Sequence, residues 1–375
     1  MGAVCAPRRP FFMACNFYNA RDISRSPILW YECHSMTNAR ADAFLRPVRD
    51  FWFGRRVLVT GGCGFIGSHL VEALVAAGAD VIVLDAYNST STEGFLEGVE
   101  DAALEVRLGD VADPFLTREL SAGVDTVFHL AALIGIPYSY VAPAHYVRTN
   151  VDGTLAVLEA ARAEGVRRVV HTSTSETYGS AQFEPMDESH PLVAQSPYAA
   201  TKVAADQLAG SYFRSFDVPV ATLRPFNTFG PRQSMRAVLP TLMAQALYSD
   251  RIVVGSLDPV RDMNYVADTV AAFMGVGAAD GVEGELFNIG SGIGRTIAEM
   301  LDAVQRVVGV DKLVQQDEAR VRPEKSEVKA LICDFRKAQA TFGYEPRVDF
   351  EEGLAKLRDY LVEREMPSDP AVYHV

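Results

Sequence analysis

Thr60-Gly61-Gly62-Cys63-Gly64-Phe65-Ile66-Gly67 stands between an apolar run, Arg56-Val57-Leu58-Val59-Thr60, and a segment of helical period from Ser68 to Gly78. A short, valine-rich run without polar alternation reads as a strand buried on both faces. Glycines at 61, 64 and 67 permit a tight turn, close approach of backbone to a pyrophosphate, and close packing of helix on strand. The helix N-terminus that follows offers free N–H groups and the positive end of its dipole to phosphate. Asp80-Val81-Ile82-Val83-Leu84-Asp85 forms the next strand, and Asp85 at its end can accept hydrogen bonds from an adenosine ribose. Its charge would repel a 2′-phosphate, which favours NAD over NADP. A glycine triplet alone also suits a turn without ligand. Strand before, helix after and an acid ending the next strand weigh against that reading.

Outward from this motif, short apolar runs alternate with helical patterns, as parallel βαβ units require. Further strands are expected over 104–110, 125–131, 167–173 and 218–225, with helices over His145–Glu164 and Tyr198–Phe216. The fold class is therefore α/β, a doubly wound parallel sheet with a smaller α/β substrate-binding lobe. Residues 54–226 are expected to form the dinucleotide-binding domain. Residues 227–375 mainly supply the second lobe, closed by a helix from Leu354 to Arg364. Residues 1–53 lack either period and read as an extension largely outside the fold. Met36 is a candidate start, and residues 39–53 are a candidate short helix packed on the domain.

Composition narrows the classes. A net charge of −13 argues against a general nucleic-acid binder. No run of eighteen uncharged apolar residues marks a membrane span. Five cysteines without a CxxC pair make a disulfide framework or zinc site unexpected, and a reducing cytoplasm is the expected setting. No His, Asp or Glu grouping has metal-ligand spacing, so no metal is predicted. His69 and His129 read as core residues.

Two segments carry candidate chemistry. Tyr198-Ala199-Ala200-Thr201-Lys202 starts a helix after Pro197, and spacing of four puts phenol and ammonium on one face. A nearby ammonium and a positive nicotinamide would favour the phenolate. Lowering a tyrosine pKa from about 10 to about 7 needs roughly 4 kcal/mol of differential stabilisation. The strand ending His171-Thr172-Ser173-Thr174-Ser175-Glu176 should deliver its C-terminal residues to the same crevice. Ser173 and Thr174 are hydroxyl groups suited to a sugar oxygen and to ordering Tyr198. Glu176 is either a base for elimination or a cap of the following turn.

The stretch TGGCGFIGSHL resembles the fingerprint of extended short-chain dehydrogenases, and YAATK resembles their YxxxK motif. The resemblance implies a Rossmann fold with NAD cradled by Gly61, Gly64, Phe65, Ile66 and Gly67. It also places Asp110 and Val111 beside the adenine, and Leu130, Ala131 and Ala132 along the ribose. STSETYG (173–179) resembles the Thr-Ser/Asp-Glu motif of sugar-nucleotide 4,6-dehydratases. IPYSYVAPAHYVRTNVDGT (136–154), RPFNTFGPRQSMRAVLPT (224–241), VRDMNYVADT (260–269) and RPEKSEV (322–328) follow in the family's order. Together they are most similar to NAD-dependent 4,6-dehydratases of the legionaminic-acid pathway type.

That resemblance implies Thr174, Ser175, Glu176, Tyr198 and Lys202 as the catalytic set and a nucleotide-diphosphate sugar as substrate. Asn227, Arg261 and Arg322 are implied for the diphosphate, Arg232 more weakly, and Tyr138 for the hexose pocket. A surface salt bridge is the competing reading of Arg232, and a helix cap that of Asp268. A homodimer through helices near 145–164 and 198–216 is usual in the family. Ser175 stands where dTDP-glucose dehydratases carry Asp, and UDP-glucuronate decarboxylases share a similar Ser-Glu pair. Epimerisation, 5,6-dehydration, decarboxylation, simple dehydrogenation and a catalytically silent NAD-binding scaffold are thus the alternatives to 4,6-dehydration.

Overall fold

The computed structural model describes residues 48–86, 93–317 and 328–364. The first half contributes β1 (Arg56–Thr60), β2 (Asp80–Asp85), β3 (Leu104–Leu108), β4 (Thr126–His129), β5 (Arg168–Thr172) and β6 (Val220–Pro225). The second contributes β7 (Asn227–Phe229), β8 (Arg251–Val254), β9 (Val260–Tyr265), β10 (Leu286–Ile289), β11 (Gly294–Thr296), β12 (Leu313–Gln316) and β13 (Ala330–Leu331). Seven of these form one sheet in the order β10-β6-β5-β4-β1-β2-β3, every neighbouring pair parallel. The strand order reverses between β1 and β4, which opens a crevice at their carboxyl ends. This is the doubly wound Rossmann architecture expected from the glycine motif.

Helices cover both faces, and β1, β4 and β6 are buried almost throughout, as their valine-rich runs require. The second half also builds a four-stranded sheet in which β9 pairs with β7, β11 and β13, and a separate two-stranded sheet of β8 and β12. The chain returns to the large sheet through the Val266–Ala278 helix and β10, so the two layers share one core.

Several boundaries differ from expectation. The first helix spans Phe65–Ala76, so Phe65 and Ile66 are already helical and Gly64 is its extended N-cap. The segment 145–164 is not one helix. Pro143–Tyr146 leads into a π-helical turn, Val147–Asp152, and then into Gly153–Glu164. The closing helix is Phe350–Val362, started four residues early because Asp349 accepts from the Glu351 N–H.

Of the N-terminal extension, 48–53 belongs to the fold. Residues 48–52 are helical, and Trp52 is fully buried against Phe128, ring centroids 5.5 Å apart. A Cβ on Gly277 would lie 3.0 Å from the indole, so that glycine makes room for it. Truncating such a side chain costs roughly 3–5 kcal/mol. The rest of the extension, with Met36, Cys5, Cys15 and Cys33, lies outside the described residues.

Candidate active site

The glycine loop is a cradle because side chains do not fit in it. Gly61 has φ +74°, and a Cβ there would lie 2.7 Å from the Ala131 nitrogen. A Cβ on Gly67 would come within 2.1 Å of the Gly61 carbonyl oxygen, so only glycine lets helix and turn approach this closely. Asp85 accepts from the Cys63 N–H at 2.8 Å and from the Ala86 N–H at 2.7 Å, which pins its carboxylate beside the loop. The Leu130 N–H donates to the Thr60 carbonyl and the Ala131 N–H to Thr60 Oγ1, bringing Leu130 and Ala131 against Gly61, with Ala132 next in line. Cys63 is buried, its thiol pushed up to about 12 by burial, with Asp85 and Glu93 adding to the shift. This is packing rather than chemistry. Asp110 caps its own turn through the Ala112 N–H and pairs with Arg148 at 2.9 Å, while Val111 is buried next to Gly153. These residues fit the adenosine and pyrophosphate of a dinucleotide.

The Pro197–Phe216 helix brings phenol and ammonium into the same crevice. Ser196 caps it by accepting from the Ala199 N–H, and proline occupies its first turn. Tyr198 and Lys202 are both buried. Lys202 Nζ donates to the Thr172 carbonyl at 2.6 Å, at the end of β5. Tyr198 is hydrogen-bonded to Thr174, whose Oγ1 also accepts from the Glu176 N–H. Thr174 therefore caps the Ser175–Thr177 turn, the task that Glu176 was a candidate for. The Glu176 carboxylate makes no hydrogen bond or ion pair with a described residue, and its charge acts on Tyr198. Phenol and carboxylate thus share one crevice. Tyr146 closes one side, edge-on to Tyr198 with centroids 6.3 Å apart, and Tyr138 lies beyond it, half exposed.

Taken together, the groups of the protein itself do not lower the Tyr198 pKa; the expected lowering counts on a bound nicotinamide as well. Burial pushes its pKa above the ordinary tyrosine value; the Thr174 hydrogen bond opposes this, and the charges of Glu176 and Asp206 add to it. Burial likewise pulls Lys202 down to about 8 against the opposing charge of Asp206. Desolvation is the largest cause and outweighs the Thr174 hydrogen bond, so the protein alone holds a neutral phenol.

Ser173 is also reassigned. Its hydroxyl donates to Asp206 at 2.6 Å and accepts from Arg224 Nε at 3.1 Å, turned away from the side on which Thr174 meets Tyr198. Asp206, absent from the sequence-based set, further accepts from Arg224 at 2.7 Å and pairs with His171 Nε2 at 3.0 Å. Asn150, presented by the π-helical turn, is a second residue that sequence reasoning misses. It holds both backbone groups of Leu133 and donates to Thr201 on the Tyr198 helix. The available signal for Asp206 is helical spacing, since it follows Tyr198 and Lys202 at intervals of four. Nothing local marks Asn150.

In the second layer, β7 pairs with β9 so that Asn227 faces Met263, two positions from Arg261. Asn227 Oδ1 is buried with no hydrogen-bond partner among the described residues, an acceptor that suits a donor group or an ordered water; only the side-chain N–H could meet a phosphate oxygen. Arg261 is buried on β9 and donates to the Val260 carbonyl at 2.9 Å. Arg232 has another task. With φ +69°, it donates to Glu72 at 2.7 Å and to Ser68 at 3.1 Å, tying the glycine-loop helix to the segment after β7. A guanidinium committed to a buried carboxylate leaves the substrate set. Asp268 is not a helix cap; from the first turn of its helix it accepts from the Val348 N–H. Arg322 lies outside the described residues. Among the described residues no cluster could hold a metal ion, and no helix is long and apolar enough to cross a membrane.

Comparison with known proteins agrees with the fold and with NAD as the cofactor. The family model described as GDP-mannose 4,6 dehydratase matches residues 58–357. A UDP-glucose 4-epimerase of Mycolicibacterium smegmatis is 34% identical over 81% of this chain and 98% of its own. A dTDP-glucose 4,6-dehydratase of Streptomyces antibioticus is also 34% identical, over 81% of this chain and 91% of its own. Among solved structures, the dTDP-glucose 4,6-dehydratase DesIV of Streptomyces venezuelae, with NAD bound, superposes with a TM-score of 0.76. It is 33% identical and covers 82% of this chain and 97% of its own.

Proposed function

Because the chain belongs to the GDP-mannose 4,6 dehydratase family, among the NAD-dependent nucleotide-sugar epimerases and dehydratases, we propose that it is a nucleotide-sugar 4,6-dehydratase. Its product is the 4-keto-6-deoxy sugar, and its cofactor is NAD, regenerated in each turnover. The substrate we favour is an NDP-hexose such as an NDP-N-acetylglucosamine, following the likeness to the legionaminic-acid pathway type. The observation that carries this reading is the Glu176 carboxylate, without a hydrogen bond or ion pair among the described residues, in the crevice of Tyr198 and Thr174.

The chemistry that NAD supplies when bound is reversible acceptance of a hydride from the hexose. Gly61, Gly64, Phe65, Ile66, Gly67 and Asp85 would hold it, with Asp110, Val111 and Leu130 to Ala132 along the adenosine. Tyr198 takes the C4 hydroxyl proton, oriented by Thr174. Burial disfavours the phenolate; the positive charge of a bound nicotinamide would offset that cost and let Tyr198 act as the base. The C4 ketone acidifies the hydrogen on C5. Glu176 removes that proton and delivers it to the departing C6 hydroxyl, which leaves as water, so one carboxylate serves both steps. The hydride taken from C4 would then return to C6, and C5 would regain a proton that balances the one Tyr198 took from the C4 hydroxyl, giving the 4-keto-6-deoxy sugar. Ser175, buried at the start of the turn, holds that turn against the sugar. Asn227 and Arg261 would bind the diphosphate and Tyr138 would line the hexose side; Arg322, outside the described residues, is assigned to the diphosphate by the family resemblance alone.

We assign residues 54–226 to the NAD-binding part and 227–375 mainly to substrate binding. A homodimer is proposed across the outer faces of the Gly153–Glu164 and Pro197–Phe216 helices, where a groove is lined by Val151, Ala204, Gln207, Leu208, Ser211 and Arg214. Sedimentation at micromolar concentration tests it.

A second reading, 4-epimerisation, is favoured by the Mycolicibacterium smegmatis relative. It shares the C4 oxidation and has no need of Glu176. Incubation of the purified protein with UDP-, GDP- and dTDP-hexoses, read by product mass, separates the two. Loss of one water without added NAD supports dehydration. An isomer of unchanged mass supports epimerisation, and net NAD reduction overturns both.

A further inference from the structure

Asp206 lies one helical turn beyond Lys202 and two beyond Tyr198, on the same face of the Pro197–Phe216 helix. A carboxylate in the interior of a helix is ordinarily solvated, but this one is buried and bound on three sides. From β5, His171 Nε2 lies 3.0 Å and Ser173 Oγ 2.6 Å away; from β6, Arg224 Nη2 lies 2.7 Å away. An ionised carboxylate only accepts, so His171 must carry its proton on Nε2. His171 Nδ1 is then bare, and it is buried without a partner. Burial holds both His171 and its stacked neighbour His129 neutral. Arg224 is therefore the only charged partner of Asp206 within this triad.

Beyond the triad, the charged group next along the helix is Lys202. Among the described residues no carboxylate bonds directly to Lys202, whose ammonium donates to the neutral Thr172 carbonyl. A buried ammonium without a counter-charge surrenders its proton. We propose that Asp206 is the electrostatic counterpart of Lys202, a positioning residue that keeps the catalytic ammonium charged inside the protein. The same charge acts on Tyr198 and disfavours its phenolate, as do Glu176 from the neighbouring turn and Tyr146 across the ring contact. Asp206 therefore moves both groups in one direction: Tyr198 and Lys202 each hold their proton to higher pH.

This inference rests on the assignment of Tyr198 and Lys202 as the acid–base pair, and on no particular sugar. The test is an NMR titration of the full chain labelled with 13Cε-lysine, the signal at 202 assigned with Lys202→Arg. The wild-type midpoint is expected near pH 8. In Asp206→Asn it moves acidward by about one pH unit, a tenfold change in the proton equilibrium. Asp206→Glu, which keeps the charge, retains the wild-type midpoint. Where Asp206→Asn alone leaves Arg224 unpaired and fails to fold, Asp206→Asn with Arg224→Gln removes both buried charges, and its midpoint lies acidward of that in Arg224→Gln alone. An unmoved midpoint in the Asn variants, or a Glu variant that falls as far as Asn, overturns the proposal. If a turnover assay is in hand, both limbs of the pH profile of kcat move acidward together in Asp206→Asn, whereas a merely structural loss lowers the whole profile in place. Failure of every nucleotide sugar to react would refute the proposed function and leave the lysine titration readable.

Discussion

Asn150 holds Leu133 by both of its backbone groups: Oδ1 accepts from the Leu133 N–H at 2.8 Å and Nδ2 donates to the Leu133 carbonyl at 3.0 Å. The second Nδ2 hydrogen reaches Thr201 at 3.0 Å, in the turn between Tyr198 and Lys202. The loop after β4, which leads to Tyr138, is thereby tied to the helix carrying the phenol. The π-helical turn at Val147–Asp152 is what presents Asn150 there, and such turns recur at functional sites.

Asn150→Ala leaves the Leu133 N–H and carbonyl without partners in the interior. Stability should fall by about 1–3 kcal/mol, the cost of buried unsatisfied groups. Because the loop and the catalytic helix lose their tie, kcat should fall further than the remaining folded fraction explains. Chemical denaturation alongside steady-state kinetics checks both, and a variant with wild-type kcat would remove Asn150 from the positioning of the site.

Glu176→Gln tests the carboxylate directly. The fold should be unaffected, since Thr174 rather than Glu176 caps the turn. Water loss should drop by roughly 10²–10⁴-fold, the usual contribution of a positioned acid–base group. Oxidation at C4 should survive and appear as transient absorbance of reduced nicotinamide. Undiminished formation of the 4-keto-6-deoxy product would exclude Glu176 from the reaction.

Two glycines of the cradle should behave differently. At Gly67 an added Cβ meets the Gly61 carbonyl oxygen at 2.1 Å, whereas at Gly64 the nearest atom is 3.4 Å away. Gly67→Ala should lower the melting temperature and abolish NAD binding in calorimetry. Gly64→Ala should keep the melting temperature near that of the wild type. Equal melting temperatures for the two variants would contradict the packing described.

Asp268 gives a pH signature of stability. Burial raises its pKa from 3.8 to about 6, against the opposing Val348 and Arg347 N–H groups. The folded state then holds a proton that the unfolded chain has released. Its contribution is complete below pH 3.8 and is lost as pH rises through about 6. A shift of that size corresponds to roughly 3 kcal/mol. Asp268→Asn carries no titrating proton, so its stability relative to wild type should climb by up to that amount between about pH 4 and pH 7. A flat difference across that range would show that Asp268 titrates as in the unfolded chain.

Contiguous signals are legible in the amino-acid sequence. The run from Arg56 to Gly67 already contains a strand, a turn only glycine can make, and a helix start, all within bonding distance of one another. Asp85, Tyr198 and Lys202 are readable for the same reason, since each sits at a spacing that one strand end or one helical turn determines by itself. At Ser173 the signal is local but competing. Which of two hydroxyls faces the crevice depends on what Asp206 and Arg224 offer from other elements, and no local pattern carries that.

Tertiary structure alone decided the remainder. Arg232 pairs with Glu72 across 160 residues, Asn150 reaches Leu133 and Thr201, and Trp52 fills a space left by Gly277. Those partners meet only after the sheet has folded, and no residue spacing encodes them. The charge states of Tyr198 and Lys202 belong here too. Motif spacing brings the phenol and the ammonium together, but how much water they lose, and which distant carboxylate then faces them, is a property of the packed interior.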